Sequence, residues 1–160
     1  MGAAVGPALA AAVSNAGGLG ALWGADVPRL RQLVRETRAL TAKPFAVNLN
    51  LEFPQEERLA ACLEEGVPVI SFFWRDPSDL VARAKSGGAT VLHTVSTAAE
   101  ARDAAASGVD AVVAQGWEAG DHVRVRSQRC HSFQQWSMRS DQFPSSRRGA
   151  LPTVAGLLPR

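Results

Sequence analysis

The segment at residues 109–122, VDAVVAQGWEAGDH, gathers residue types that can do chemistry into one short stretch. Its apolar run ends in Gln115, whose amide both donates and accepts hydrogen bonds. Gly116 and Gly120 follow, and glycine lets a backbone N–H approach a ligand closely. The segment ends at His122, an imidazole that titrates near neutral pH and can take or give a proton. The pattern predicts a polar site with a histidine base.

Further polar side chains stand where other apolar runs end. They are Asn48 and Asn50, Ser71, and Thr94 and Ser96. Parallel α/β proteins carry their chemistry at the carboxyl ends of strands, so we expect these residues and Gln115 to form one polar rim. A second interpretation stays open, in which each residue, above all Asn50 and Ser96, hydrogen-bonds its own turn.

Strands and helices are predicted to alternate along the chain and so to position this rim. Helical spacing, capping residues and terminating glycines predict helices over residues 7–16, 26–40, 54–65, 76–87 and 97–107. Apolar runs predict strands over residues 19–23, 45–50, 67–73, 90–95 and 110–115. Strands of this kind, each joined to the next by a helix, indicate a parallel sheet covered by helices.

Two architectures fit such a sheet: a doubly wound open sheet, and part of an eight-stranded β/α barrel. A doubly wound nucleotide-binding sheet carries a glycine-rich fingerprint after its first strand, and the sequence has none there. The polar strand ends favour the second architecture. We therefore expect an α/β fold that is a partial TIM (β/α) barrel.

The charge of the chain is unevenly distributed. The 160 residues carry a net charge of +2, but residues 1–122 carry −4 and residues 123–160 carry +6. Residues 123–160 are rich in Arg and Ser and show no sustained periodicity, so we expect an irregular or disordered tail there. The first 122 residues are expected to form one domain.

Cysteine content and the amino-terminal segment bear on the location of the protein. Cys62 and Cys130 are too few and too far apart for a disulfide framework or a zinc site, so no metal is expected. The Ala-rich amino-terminal segment lacks a basic region and an apolar run of membrane-spanning length. We expect a cytoplasmic protein with no membrane partner and no nucleic-acid partner.

Four segments carry a resemblance to a known family. AAAVSNAGGLGALWG, KPFAVNLN, VPVISFF and VVAQGWEAGDH, in this order and spacing, resemble the nitronate monooxygenase family, formerly called 2-nitropropane dioxygenases. The resemblance covers roughly residues 1–122 and implies an FMN-dependent β/α barrel that oxidises alkyl nitronates, and sometimes nitroalkanes, with molecular oxygen. The QGxEAGxH element is its most specific part, whereas AVSNAGGLG is also similar to flavin-dependent enoyl reductases.

The resemblance implies roles for individual residues. His122 corresponds to the catalytic histidine, which takes the α-proton of a nitroalkane or orients the nitronate beside the flavin. His93 stands inside a strand and is expected to be packed or hydrogen-bonded, and His131 has no supporting context. The implied flavin contacts are Met1, Gly2, Asn48, Thr94, Gln115 and Gly120.

The resemblance also has implications for Phe72, Phe73 and Asp121. Phe72 and Phe73 are implied on the apolar substrate side, although aromatic residues on a buried strand belong to the core by default. Asp121 stands where the family usually has glycine, and its carboxylate either raises the basicity of His122 or obstructs the loop.

The chain also departs from the family at its two ends. The family's first strand and last β/α units are expected to be missing, and the tail is expected to be an out-of-frame or misassembled continuation. Such a fragment would retain FMN weakly, because the helix N-termini that hold the phosphate belong to those last units. It would also self-associate through the exposed outer strands, GALW and DAVVAQ.

Three functional hypotheses therefore remain from the sequence. The first is FMN-dependent oxidation of a nitronate or nitroalkane by oxygen, with reduced competence in this chain. The second is a flavin-dependent enoyl reductase. The third is a non-catalytic fragment whose basic tail binds nucleic acid or a membrane surface.

Overall fold

The computed structural model describes residues 5–116 and residue 119. Five helices alternate with five strands over this range, as the sequence predicts. The helices are α1 (Pro7–Asn15), α2 (Val27–Leu40), α3 (Glu56–Glu64), α4 (Ser78–Ser86) and α5 (Ala98–Ala106). The strands are β1 (Gly20–Trp23), β2 (Phe45–Asn50), β3 (Val69–Phe73), β4 (Thr90–Val95) and β5 (Ala111–Ala114).

Local sequence signals fix the helix ends. The carboxylate of Asp26 accepts a hydrogen bond of 2.9 Å from the N–H of Arg29 at the start of α2, which is an N-cap. Thr97 caps α5 in the same way, while the Glu100 carboxylate accepts a 2.7 Å bond from the N–H of Ser96. Four helices are followed by glycines at positive φ, namely Gly17, Gly66, Gly88 and Gly108, which is the usual C-terminal stop.

The five strands form one parallel sheet in the order β1-β2-β3-β4-β5. A doubly wound sheet reverses its strand order at a switch point, and this sheet does not. Consecutive parallel strands with a helix in each connection are the arrangement of neighbouring units in a β/α barrel. The order therefore confirms the prediction of a partial barrel.

One core joins the helices to one face of the sheet. Alternate strand residues, including Leu22, Val47, Ile70, Phe72 and Val91, are fully buried in a single cluster with apolar residues of all five helices. Burying a side chain of this size contributes about 1.5 to 3 kcal/mol of stability. The helices thus cover one face, and the remaining strand residues belong to the opposite face, called here the inner face.

The two edges of the described sheet differ in exposure. Leu22 of β1 is buried and Trp23 is half-buried, whereas Val113 of β5 is 45% exposed. Val113 of β5 is thus exposed as expected, whereas on β1 the packing of α1 covers Leu22 and Trp23 stays partly exposed. Self-association through these edges stays a prediction.

Over residues 5–116, no helix is long and apolar enough to cross a bilayer.

Cys62 of α3 lies in the core, and burial raises the pKa of its thiol to about 12. Alkylating agents attack the thiolate, so we expect Cys62 to resist iodoacetamide at about pH 8 in the native protein. In urea the thiol regains its ordinary pKa and should react readily. Peptide mass spectrometry of both samples measures the labelling. Fast labelling of native Cys62 would contradict its core position.

Candidate functional site

A pocket opens at the carboxyl ends of β1 and β2, the edge of the sheet where the polar rim is predicted. Its volume is about 290 Å³. Its walls come from β1, β2 and the segments that follow them, and the lining residues are Trp23, Gly24, Asn48, Asn50, Phe53, Gln55 and Arg58. Aromatic rings, amides and one guanidinium thus meet in a single concave surface.

Asn48 lines this pocket and is held by the sheet. It pairs with Trp23 of β1 and Ser71 of β3, and only 8% of its surface is exposed. Its carbonyl oxygen accepts a 3.1 Å hydrogen bond from the N–H of Gly24, which ties the β1–α2 loop to β2. The Asn48 side chain lies on the inner face, opposite the helices, because its neighbours Val47 and Leu49 point into the core.

Thr94 and Gln115 share the inner face with Asn48, further along the sheet. Thr94 of β4 pairs with Val113 of β5. The N–H of Gln115 donates a 2.8 Å bond to the carbonyl of Val95, so the pairing of β4 with this segment continues beyond β5. Strand alternation places Thr94 and Gln115 on the same side as Asn48. The structure therefore brings three of the six predicted flavin contacts to one face of the sheet.

Four predicted site residues lie outside the described residues. They are Met1, Gly2, Gly120 and the proposed catalytic His122. Their roles stay predictions.

His93, which is predicted to be packed or hydrogen-bonded, lies within the described residues. His93 is buried in the helix layer, and its Nδ1 lies 3.2 Å from the carbonyl oxygen of Phe72. The expectation that His93 is packed and hydrogen-bonded is confirmed.

The two phenylalanines of β3 face opposite sides of the sheet. Phe72 is fully buried in the core, which is the default expected for an aromatic residue on a buried strand, and it does not take the implied place on the substrate side. Phe73 is half-buried on the inner face, where its ring meets that of Trp74 edge to face at a centroid distance of 5.4 Å. Adjacent strand residues alternate sides, so only one of the pair could face the site.

Asn50 hydrogen-bonds its own turn, which is the second of the two interpretations that the sequence leaves open. Its side-chain oxygen accepts a 2.9 Å hydrogen bond from the N–H of Glu52, which closes a turn after β2. Its carbonyl oxygen accepts a 2.6 Å bond from Nε2 of Gln55. Asn50 therefore shapes the pocket wall through its backbone and its own turn.

Gln55 was not predicted as a site residue, because Pro54 and Glu56 around it indicated only the start of a helix. It is the N-cap residue of α3, and 5% of its surface is exposed. Its Oε1 is buried and finds no hydrogen-bond partner among the described residues. A buried acceptor without a partner costs about 1 to 3 kcal/mol.

Arg58 was also missed, since a lone arginine in the first turns of a helix carries no motif. Its Nε donates a 2.5 Å bond to the carbonyl of Ala25, and a terminal nitrogen donates a 3.2 Å bond to the carbonyl of Pro54. The guanidinium thus bridges the loops after β1 and β2. These two bonds fix a positive group in the pocket wall.

Trp74, directly after β3, has a φ of +70°. This backbone conformation costs any residue other than glycine about 1 to 2 kcal/mol. Trp74→Gly and Trp74→Ala both remove the indole, but only glycine relieves this strain. We expect Trp74→Gly to be more stable than Trp74→Ala by about 1 kcal/mol. Urea unfolding followed by circular dichroism measures the difference. Equal stabilities would show that the backbone relaxes without glycine.

The sequence profile of the nitronate monooxygenase family matches residues 1–57 and 52–134. The chain belongs to this family. The nitronate monooxygenase of Pseudomonas aeruginosa is 39% identical over 161 residues, a match that covers 74% of the chain and 46% of that protein.

Two further relatives of the chain have names other than nitronate monooxygenase. The (3aS,4S,5R,7aS)-5-hydroxy-7a-methyl-1-oxo-octahydro-1H-indene-4-carboxyl-CoA dehydrogenase of Mycobacterium tuberculosis is 38% identical over 126 residues, covering 77% of the chain and 36% of that protein. The structure of FabK from Thermotoga maritima superposes with a TM-score of 0.75 at 38% identity, covering 78% of the chain and 41% of FabK. The chain thus spans less than half the length of each of these three relatives.

Proposed function

We propose that the protein takes part in the FMN-dependent oxidation of alkyl nitronates, or of nitroalkanes, by molecular oxygen. One observation carries the proposal: in a member of the nitronate monooxygenase family, Asn48, Thr94 and Gln115 share the inner face at the carboxyl edge of a parallel sheet. Ligands of β/α barrels bind at this edge.

The described residues suit a flavin ring chemically. The isoalloxazine system has a polar edge of alternating hydrogen-bond donors and acceptors, and the amides of Asn48 and Gln115 offer both kinds of group. The half-buried rings of Trp23 and Phe73 supply apolar surface on the same face. By resemblance, Met1, Gly2 and Gly120 complete the set of contacts. When bound, the flavin supplies the electron transfer from substrate to oxygen.

His122 supplies the proton chemistry in this proposal. Its imidazole accepts the α-proton of a nitroalkane, or holds an already formed nitronate. The proposed substrates are accordingly small nitro compounds and oxygen.

The flavin part of the proposal is tested by the visible absorbance of the purified full chain mixed with FMN. We expect a bound flavin spectrum and a dissociation constant raised roughly tenfold in Asn48→Ala, which loses one amide contact. Gln32→Ala is the control, because Gln32 is an exposed amide on α2 that bonds only Glu36 among the described residues. Absence of bound flavin, or equal affinity in wild type and Asn48→Ala, would overturn the assignment.

A second candidate is a flavin-dependent enoyl reductase or related dehydrogenase acting on an acyl thioester. It is favoured by the relative named a carboxyl-CoA dehydrogenase and by the superposition on FabK. The two candidates differ in what oxidises and reduces the flavin. Nitronate-dependent oxygen uptake supports the first, and oxidation of a reduced nicotinamide cofactor with an enoyl thioester supports the second.

A further inference from the structure

The pocket at the ends of β1 and β2 contains a hydrogen-bond acceptor and a hydrogen-bond donor that the described structure leaves incompletely used. The acceptor is Oε1 of Gln55, which is buried without a partner among the described residues. The donor is the guanidinium of Arg58, which has five N–H bonds. Both residues line the same cavity of about 290 Å³.

The orientation of the Gln55 amide is fixed by its other end. Nε2 donates a 2.6 Å bond to the carbonyl oxygen of Asn50. A flipped amide would set two oxygens against each other at that distance, so Oε1 must be the atom left over. Gln55 lines the pocket, and Oε1 is the end of its amide that has no partner among the described residues.

Arg58 is held in place by neutral partners. The carbonyl oxygens of Ala25 and Pro54 accept from two of its nitrogens. Among residues 5–116, no carboxylate forms an ion pair with it. At least two of its N–H groups are therefore not engaged by these bonds, and a ligand oxygen in the pocket can accept from them.

We propose that this pocket binds an amide group, whose N–H donates to Oε1 of Gln55 and whose carbonyl oxygen accepts from Arg58. A carboxylate or phosphate would satisfy Arg58 but would set a negative oxygen beside the buried Gln55 oxygen. A ketone would satisfy Arg58 and leave Gln55 without a partner. Only a group that carries a hydrogen-bond donor beside an acceptor can bond to both residues. The rings of Trp23 and of Phe53, which is 61% exposed, offer flat apolar surface to the apolar part of such a ligand.

This amide chemistry has two possible sources. The pyrimidine edge of the flavin carries an imide N–H between two carbonyl groups, and a substrate can carry an amide of its own. The inference goes beyond the proposed function, because binding of an amide in this pocket requires neither flavin nor turnover.

Three ligands of nearly equal size and shape test the proposal on the purified full chain. Benzamide carries the donor and the acceptor, acetophenone only the acceptor, and benzoate acceptors with a negative charge. In ligand-observed NMR titrations, we expect benzamide to bind roughly tenfold more tightly than either analogue, the effect of one hydrogen bond. Tighter binding of benzoate, equal binding of all three, or no binding of benzamide would each overturn the proposal.

Gln55→Met tests the acceptor, because it keeps the length of the side chain and removes the oxygen. The preference for benzamide over acetophenone should fall from roughly tenfold to about one. Glu57→Gln, an exposed change on the same helix, is the control and should keep the full preference. A preference that survives in folded Gln55→Met would contradict the assignment. The ranking of the three ligands on the unmodified protein stands as a test even if Gln55→Met does not fold.

A competition experiment between FMN and benzamide identifies the source of the amide. If saturating FMN displaces benzamide, the pocket receives the flavin's own edge, and if benzamide binds alongside FMN, the pocket receives a substrate amide. Either outcome agrees with an amide-binding pocket. If FMN does not bind at all, the proposed function fails while the benzamide ranking remains valid.

Discussion

Replacement of Gly20 by alanine is expected to prevent α1 from docking on β1 and to remove about 3 kcal/mol or more of stability. A Cβ atom at Gly20 would lie 1.9 Å from the carbonyl oxygen of Ala10, 2.6 Å from its carbonyl carbon and 2.8 Å from its Cα. All three are backbone atoms of α1, so no side chain can move aside. A loss of this size is a large part of the 5 to 15 kcal/mol that stabilises a typical domain.

The neighbouring contacts add to this effect. The N–H of Gly20 donates a 3.1 Å bond to Oγ of Ser14, a buried residue of α1. A displaced helix breaks that bond as well as the apolar packing of Ala10. Urea denaturation followed by circular dichroism measures the loss, as a lower midpoint or as absence of a cooperative transition.

Gly6→Ala is the matched control, because a Cβ there meets no atom within 4 Å and the residue has ordinary φ. It should change the free energy of unfolding by no more than about 1 kcal/mol, the scale of a changed helix N-cap. If Gly20→Ala unfolds at the same urea concentration as Gly6→Ala, the close approach of α1 to β1 is wrong.

Replacement of His122 by alanine is expected to lower nitronate-dependent oxygen uptake by about 10² to 10⁴-fold, the usual contribution of a general base. The expectation comes from the QGxEAGxH element, whose histidine we propose, by resemblance to the family, as the proton acceptor. Flavin absorbance should remain, since the proposed role of the imidazole is to act on the substrate. An oxygen electrode measures the rate with nitroethane and with its nitronate. The larger loss is expected with nitroethane, whose proton must be removed.

His131→Ala is the control for this experiment, as a histidine outside the motif. It should keep the full rate. Asp121→Gly restores the family's usual residue beside His122, and its pH–rate profile reports whether the carboxylate raises the basicity of the imidazole. A flavin-loaded His122→Ala protein with an unchanged rate would remove the histidine from the chemistry.

The succession of helices and strands could be predicted from the sequence because its signals are local. Caps such as Asp26 and Thr97, and glycines such as Gly66 and Gly108, mark helix ends without reference to the rest of the fold. Continuous apolar runs then indicate buried parallel strands. The inner-face positions of Asn48, Thr94 and Gln115 followed from these strand ends.

The pocket could not be predicted in the same way. Gln55 and Arg58 become site residues only because the loops after β1 and β2 fold against each other, and Arg58 joins them through carbonyl groups that leave no trace in the side-chain sequence. The opposite orientations of Phe72 and Phe73 depend on which residue of β3 begins the alternation. The positive φ of Trp74 is a feature that its residue type argues against.

The consecutive strand order also shapes how the chain can acquire its structure. Each strand pairs with the one made just before it, as in Gly20 with Phe45 and Val69 with Thr90, so every pairing closes a short stretch of chain. The entropy lost in each closure is small, and pairing can begin as soon as the next unit has left the ribosome. A polypeptide of this kind can fold from its amino terminus during synthesis, because each newly synthesised unit pairs with the unit that precedes it.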